Sequence, residues 1–187
     1  MGKIKEIYAS RFNEPPLWSD GTWIMDENQS GGLIIDLMIH DIDFIAWNFG
    51  KIKRVWSTGV LDSNNFHTQV FAVMEFNNGS KAYVEGGYLN PKGSGLNSQM
   101  RIYGDKAKLE MYSHEDKIIL KENNNEKTIL LDIPVIDGYV EEVTYFMDAI
   151  DAGKAPSVIS VDEAIESLSV CLALKKSLKE GNWIELV

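Results

Sequence analysis

The sequence predicts an α+β domain: a large, open, mostly antiparallel sheet with helices on one face. Strand patterns follow one another almost without a break over residues 51–132, separated by short turns. Helical periodicity is confined to residues 32–49 and to the stretch after Tyr139. Runs of strands segregated from runs of helices, in place of strict alternation, are the mark of this class. The 187 residues fit a single domain spanning 1–187, and 44% hydrophobic content with five tryptophans supplies a core.

Residues 3–12 open the chain with strand-like alternation. Residues 13–30 read as irregular, with Pro15-Pro16, Asp20-Gly21 and two tryptophans, Trp18 and Trp23. Trp-rich loops suit pocket walls and caps. Residues 32–49 form a helix that is apolar almost all round, hence buried, and Gly50 closes it. Strands follow at 54–61, 69–76 and 81–89; the last two flank Asn77-Asn78-Gly79-Ser80, a hairpin signal. Residues 100–103 and 108–112 flank Gly104-Asp105, and residues 117–121 and 127–131 flank Asn123-Asn124-Asn125. Tyr139, Val143, Phe146, Met147 and Ile150 recur at helical spacing up to Gly153. Ser160-Val161-Asp162-Glu163 is a capping box, which starts a second amphipathic helix through Ala164, Ile165, Leu168, Cys171 and Leu172. Residues 183–186 make a last short strand. The sheet face away from the helices is expected to carry Val70, Ala72, Met74 and Tyr83, or their alternates. An uncovered apolar face predicts self-association.

Composition narrows the function. A formal net charge of −10 and a pI near 4.8 argue against nucleic acid and anionic membrane surfaces as partners. Cys171 is the single cysteine, so no internal disulfide forms; at an apolar helical position it reads as an inert core residue. The start, Met1-Gly2-Lys3-Ile4-Lys5, lacks the apolar region of a secretion signal, and no run approaches a membrane span of ~18 apolar residues. A soluble cytoplasmic protein is expected.

Inside the greasiest helix lies a polar stripe. Asp36, His40 and Asp43, spaced by four and three residues, project within roughly 60° of each other on an ideal helix. Buried carboxylates and imidazoles are costly unless paired. The stripe admits three readings: a structural network, a divalent-metal site, or general acid–base chemistry in which a carboxylate orients the histidine. No second cluster of His or Cys supports a metal, since His67 and His114 lie elsewhere. Ser30-Gly31-Gly32 precedes the helix, as a flexible cap or as backbone able to approach a ligand. Gly93-Ser94-Gly95 lacks a third glycine at the needed spacing and joins no strand to a helix, so no dinucleotide fingerprint is present.

Trp23, Asp26, Ser30-Gly31-Gly32, Asp36, His40, Asp43, Trp47 and Gly50, at these spacings, resemble the signature of the Gfo/Idh/MocA oxidoreductases. The order of strands and helices, the Tyr139–Glu142–Phe146–Ile150 segment, the Gly153-x2-Pro156 turn and Trp183 are similar too, so the likeness covers essentially the whole chain. The resemblance implies the C-terminal, substrate-binding and oligomerising domain of a dehydrogenase for a sugar, polyol or related hydroxy compound. The N-terminal Rossmann domain, which binds NAD or NADP and carries the family's catalytic lysine, is absent from this sequence. The chain alone is therefore expected to bind no nicotinamide cofactor and to be inactive. His40 is then the acid/base for the substrate hydroxyl proton, and Asp36 binds substrate or orients His40. Trp23, Arg11 and Tyr139 join Asp36 in binding substrate, Asp43 supports the site from behind, Gly31 and Gly32 sit beside the cofactor, and no metal is needed. One cleft is expected to hold Asp36 and a partly accessible His40, roofed by Trp18 or Trp23 and bordered by the start of the Tyr139 helix. Two departures stand out: Ser30 opens a loop where three glycines are common, and Ile24 stands where many members carry Arg. The rival readings are a non-catalytic module of the same fold and a metal-dependent lyase or isomerase built on Asp36, His40 and Asp43.

Overall fold

Alternation and turn chemistry build one nine-stranded sheet in the computed structural model, which describes residues 1–17, 20–115, 117–123, 128–132, 137–158 and 160–186. The strands are β1 (Ile4–Phe12), β2 (Ile52–Leu61), β3 (His67–Phe76), β4 (Lys81–Gly87), β5 (Asn97–Gly104), β6 (Ala107–Tyr112), β7 (Lys117–Glu122), β8 (Thr128–Asp132) and β9 (Ile184–Glu185). They lie in the order β8-β7-β6-β5-β1-β4-β3-β2-β9. Every neighbouring pair is antiparallel except β1 and β4. The first strand thus sits mid-sheet between two hairpin-built halves, a placement that no local pattern encodes.

Residues 13–30, read as irregular, contain a 3₁₀ turn (Asp20–Met25) and a one-turn helix, α1 (Glu27–Ser30). The predicted long helix is α2 (Ile39–Phe49), entered through a π-helical turn at Ile34–Met38. α3 (Gly138–Asp151) and α4 (Val161–Glu180) follow the strands, and α4 opens with the predicted capping box: Glu163 N donates to Ser160 Oγ at 3.2 Å and Ser160 N to Glu163 Oε2 at 2.6 Å.

α2 and α4 lie side by side on one sheet face. Ile42 and Ile45 of α2, Met38 of the π turn and Leu174 of α4 are fully buried against Ile7, Val55, Met74 and Val84. Each such aliphatic side chain contributes roughly 1.5–3 kcal/mol. Polar bonds fix α4 on β2: Ser57 Oγ donates to Leu174 O at 2.7 Å, and Ser57 N donates to Ser177 Oγ at 2.9 Å. Cys171 is buried in the same layer; burial, then the Asp43 charge, push its thiol up to about 12, so it stays protonated. No helix among the described residues is long and apolar enough to cross a membrane.

The open face carries Tyr83 and the alternates of Val70, Ala72 and Met74. Val70, Ala72 and Met74 are buried under the helices and Phe71, Val73 and Tyr83 look out. Both sets are apolar, so alternation alone does not say which faces the helices; Gly86, opposite Val70, settles it by touching Met38. Register aligns Trp56, Val73, Tyr83, Tyr8, Arg101 and Glu110 in one row across six strands of the open face. The Arg101 guanidinium stacks 4.3 Å from the Tyr8 ring centroid, and its buried Nε has no hydrogen-bond partner among the described residues. In the adjacent row Glu75 accepts from Arg54 at 2.6 Å and pairs with Lys81 at 2.9 Å, holding its carboxyl down at about 2.

α3 stands apart from the other helices. All its residues except Ala149 are exposed, including Tyr139, Val143, Phe146 and Ile150.

Candidate functional site

The polar stripe begins where the backbone is least regular. Asp26 caps α1, accepting from Asn28 N at 3.0 Å and Gln29 Nε2 at 2.7 Å; these bonds, Gln29's first, hold its carboxyl below the ordinary value. Gly31 and Gly32, at φ 83° and 78°, then reverse the chain into the π turn, a conformation that favours glycine. Their N–H groups are already used: Gly31 donates to Glu27 O at 3.2 Å and Gly32 to Ser30 Oγ at 2.9 Å. They offer no free pair of donors for a phosphate.

Asp36 lies within the π turn, a feature that often marks functional sites. It does not reach His40. Its Oδ2 accepts a hydrogen bond from the phenol of Tyr88, a residue that sequence reasoning missed. Tyr88 follows Gly86 and Gly87 at the end of β4, is 4% exposed, and stacks on Phe66 at 6.3 Å between centroids. Burial, then the bond to Asp36, push its phenol far above the ordinary tyrosine value, so it remains a donor. The available signal was Gly86-Gly87: glycines in a strand mark close approach of another element.

One turn on, His40 is exposed and makes no hydrogen bond among the described residues. It sits in a shallow hollow with Ile39, Asp43, Ala164 and Ser167. Asp43 accepts from Ser167 Oγ at 2.5 Å, and both also line a neighbouring cavity of about 150 Å³ with Trp47, Lys51, Glu163 and Glu166. The structure therefore brings His40 and Asp43 together, with Ser167 from α4. It holds Asp36 on a separate partner.

The remaining predicted residues are dispersed. Arg11 lies on the covered face of β1, where Asp41 of α2 takes it in a two-bond fork at 2.8 and 2.9 Å. That fork uses the guanidinium that was expected to bind substrate. Its logic was legible: Ile7, Ala9 and Arg11 alternate inward, so a buried cation needs a carboxylate from the buried side of the helix. Trp23 is 45% exposed on the 3₁₀ turn and Tyr139 is 82% exposed on α3; neither lines the His40 hollow. Trp18 lies outside the described residues. A larger cavity of about 410 Å³, not anticipated, lies at the Gly31-Gly32 end beside His67, Lys175 and Lys179. There His67 Nδ1 meets Glu27 Oε1 at 2.7 Å, and Lys175 Nζ donates to Gly31 O at 2.6 Å. Among the described residues, no three His, Cys, Asp or Glu side chains are placed to hold a metal ion.

Residues 1–110 match the GFO/IDH/MocA C-terminal domain, and the chain belongs to that family. It is 26% identical to the scyllo-inositol 2-dehydrogenase (NAD(+)) of Bacillus subtilis (strain 168), over 84% of this chain and 48% of the relative. It is 24% identical to the myo-inositol 2-dehydrogenase of Thermotoga maritima, over 84% of this chain and 50% of the relative. The chain thus spans about half the length of the curated relatives it matches. The fold superimposes on levoglucosan dehydrogenase in complex with NADH with a TM-score of 0.80, covering 100% of this chain and 59% of that one at 17% identity.

Proposed function

We propose that this chain is the substrate-binding half of an NAD(P)-dependent dehydrogenase for a sugar or cyclic polyol, and that His40 moves the proton of the reacting hydroxyl. The observation that carries this reading is the environment of His40: an exposed imidazole with no partner among the described residues, on the family's motif helix, in a hollow with an Asp43 carboxylate that is bound to Ser167. An imidazole is the side chain suited to proton exchange near neutrality. The two inositol dehydrogenases support a polyol as substrate class.

The residues present do not fit a nicotinamide cofactor. No glycine fingerprint joins a strand to a helix, and the donors of Gly31 and Gly32 are occupied. The cofactor, which accepts or returns the hydride, would be held by a nucleotide-binding domain of the whole protein. His40, Phe44 and Trp47 of α2, with Leu168 and Leu172 of α4, are exposed on the outer surface of the helix layer and suit that domain as a partner. The row of Trp56, Val73, Tyr83, Tyr8 and Arg101 on the open sheet face suits a second copy.

His40→Ala in the full-length enzyme should lower kcat by roughly 10²–10⁴-fold, the usual share of general acid–base catalysis, with a smaller change in KM. Asp36→Asn should impair both. Steady-state kinetics with a cyclic polyol, beside a thermal melt of the same protein, test the reading; a stable His40→Ala enzyme with undiminished kcat refutes it.

A further inference from the structure

The cavity of about 410 Å³ at the Gly31-Gly32 end of the helix layer shares no residue with the His40 hollow. Its volume falls among those of small-molecule sites, roughly 300–1,000 Å³. Leu33, Ile34, Leu61, Val70 and Leu178 supply apolar walls. Lys175 and Lys179 line the same space, four residues apart on α4, a spacing at which helical side chains are neighbours. Their donors are mostly unspent. Lys175 Nζ donates to Gly31 O at 2.6 Å, and an ammonium has further donors to give. Lys179 is exposed and makes no hydrogen bond or ion pair among the described residues. Glu27 also lines the cavity, but His67 engages it: Glu27 Oε1 lies 2.7 Å from His67 Nδ1 and accepts from His67 N at 3.3 Å. Neither lysine meets a carboxylate among the described residues.

We propose that this cavity binds a small organic monocarboxylate, its head on Lys175 and Lys179 and its apolar body against Leu33, Ile34, Leu61, Val70 and Leu178. Few polar groups set in apolar walls are the usual make-up of a ligand site. The charges choose the ligand class. Like charges four residues apart on a helix repel, and a bound anion relieves that repulsion. In a chain of formal net charge −10, an anion is repelled over most of the surface and attracted here. Lys175 and Lys179 set against Glu27 leave one positive charge, which matches a carboxylate better than a doubly charged phosphate. A bare anion would use the lysines and leave the walls wet; a neutral apolar ligand would do the reverse. A carboxylate on a short apolar chain uses both.

The test is a titration of the 187-residue chain with hexanoate, followed by the methyl NMR signals of Leu61, Val70 and Leu178. Hexanoate should bind saturably and move these signals. Hexanamide, which keeps the body and loses the charge, should bind about five- to tenfold more weakly. Acetate, which keeps the charge and loses the body, should bind weaker by roughly thirtyfold or more. Lys179→Gln should weaken hexanoate about three- to tenfold and leave hexanamide unchanged. Lys175→Gln should act in the same direction but also removes the bond to Gly31 O; Lys179 is exposed, so its variant keeps the test open if the other does not fold. The proposal is overturned if hexanoate leaves the three methyl signals unmoved, if hexanamide binds as tightly as hexanoate, or if Lys179→Gln binds hexanoate undiminished. Inorganic phosphate binding as tightly as hexanoate also overturns it, since the walls would then contribute nothing. NADH that displaces hexanoate from these signals would assign the cavity to the cofactor and overturn the proposal. Each outcome is read without turnover, so the role of His40 stands or falls separately on kcat.

Discussion

His40 and Asp41 are consecutive in sequence on α2, yet the first is exposed and the second buried. Asp41 points into the layer, where Arg11 takes both its oxygens at 2.8 and 2.9 Å. His40 points outward and has no partner among the described residues. The inner side pairs its carboxylate within the chain; the outer side leaves an ionisable group without a partner among the described residues. The family motif runs through both sides, so spacing alone does not separate the residue that holds the fold from the residue available for chemistry. Burial and partners do.

The sharpest way to break this contrast is to remove Arg11. Arg11→Met leaves the Asp41 carboxylate buried without its cation, which typically costs about 3–5 kcal/mol. Urea denaturation should show a loss on that scale, and Arg11→Met/Asp41→Leu should recover most of it, because an apolar pair satisfies a buried site as well as an ion pair. The rate at which diethylpyrocarbonate modifies His40 should be unaffected. A loss below about 1 kcal/mol would assign the fork little structural weight and return Arg11 to the substrate-binding set.

The inner side also depends on how closely the π turn approaches β4. A Cβ at Gly86 would collide with the Met38 side chain. Gly86→Ala therefore overpacks the contact, at a cost of about 1–3 kcal/mol. Because Tyr88 lies two residues on, the same substitution should disturb its bond to Asp36, seen as a changed Tyr88 ring signal. An unchanged melt and spectrum would mean that the helix yields freely at this point.

On the outer side the expected stability effect is small. His40→Ala removes an exposed ring with no partner among the described residues, so the melt should stay within about 0.5 kcal/mol of the parent chain. A larger loss would reveal a structural partner for His40 and weaken its separation from Asp41.

The legible part of the molecule follows from local rules. Period-two alternation, the Asn78-Gly79 turn and the Ser160–Glu163 box each specify their element from a few residues, and the corresponding strands and α4 are observed. The parallel β1–β4 contact could not be read, because its partners lie more than 70 residues apart, as in Tyr8 and Tyr83. Which face of β3 is covered stayed open in the sequence because both its faces are apolar. In the site, ideal helical geometry put Asp36, His40 and Asp43 on one line, and that geometry does not hold across the π turn at Ile34–Met38. Tyr88 and Ser167 were invisible for a different reason: each is a common residue in an ordinary element, and only the tertiary contact gives it a role.

The smallest effect lies on the open sheet face, where an ion cluster faces water. Glu75 is held by Arg54 first and Lys81 second, and its carboxyl is lowered from 4.5 to about 2. A folded-state value below the unfolded one means that the unfolded chain binds the proton more readily. The stabilising contribution is therefore complete above the unfolded value, near 4.5, and is lost as pH falls towards 2. The cluster is solvent-exposed and screened, so its weight at neutral pH is slight compared with the Arg11–Asp41 fork. Urea midpoints for the parent chain and Glu75→Gln, measured from pH 6 to 2.5, should converge as the pH falls through this window, with the substituted chain the less acid-sensitive. Adding salt should narrow the gap at pH 6. Parallel curves across the whole range would show that Glu75 titrates alike in the folded and unfolded chains, and that Arg54 and Lys81 on this face are free to meet acceptors on a second copy.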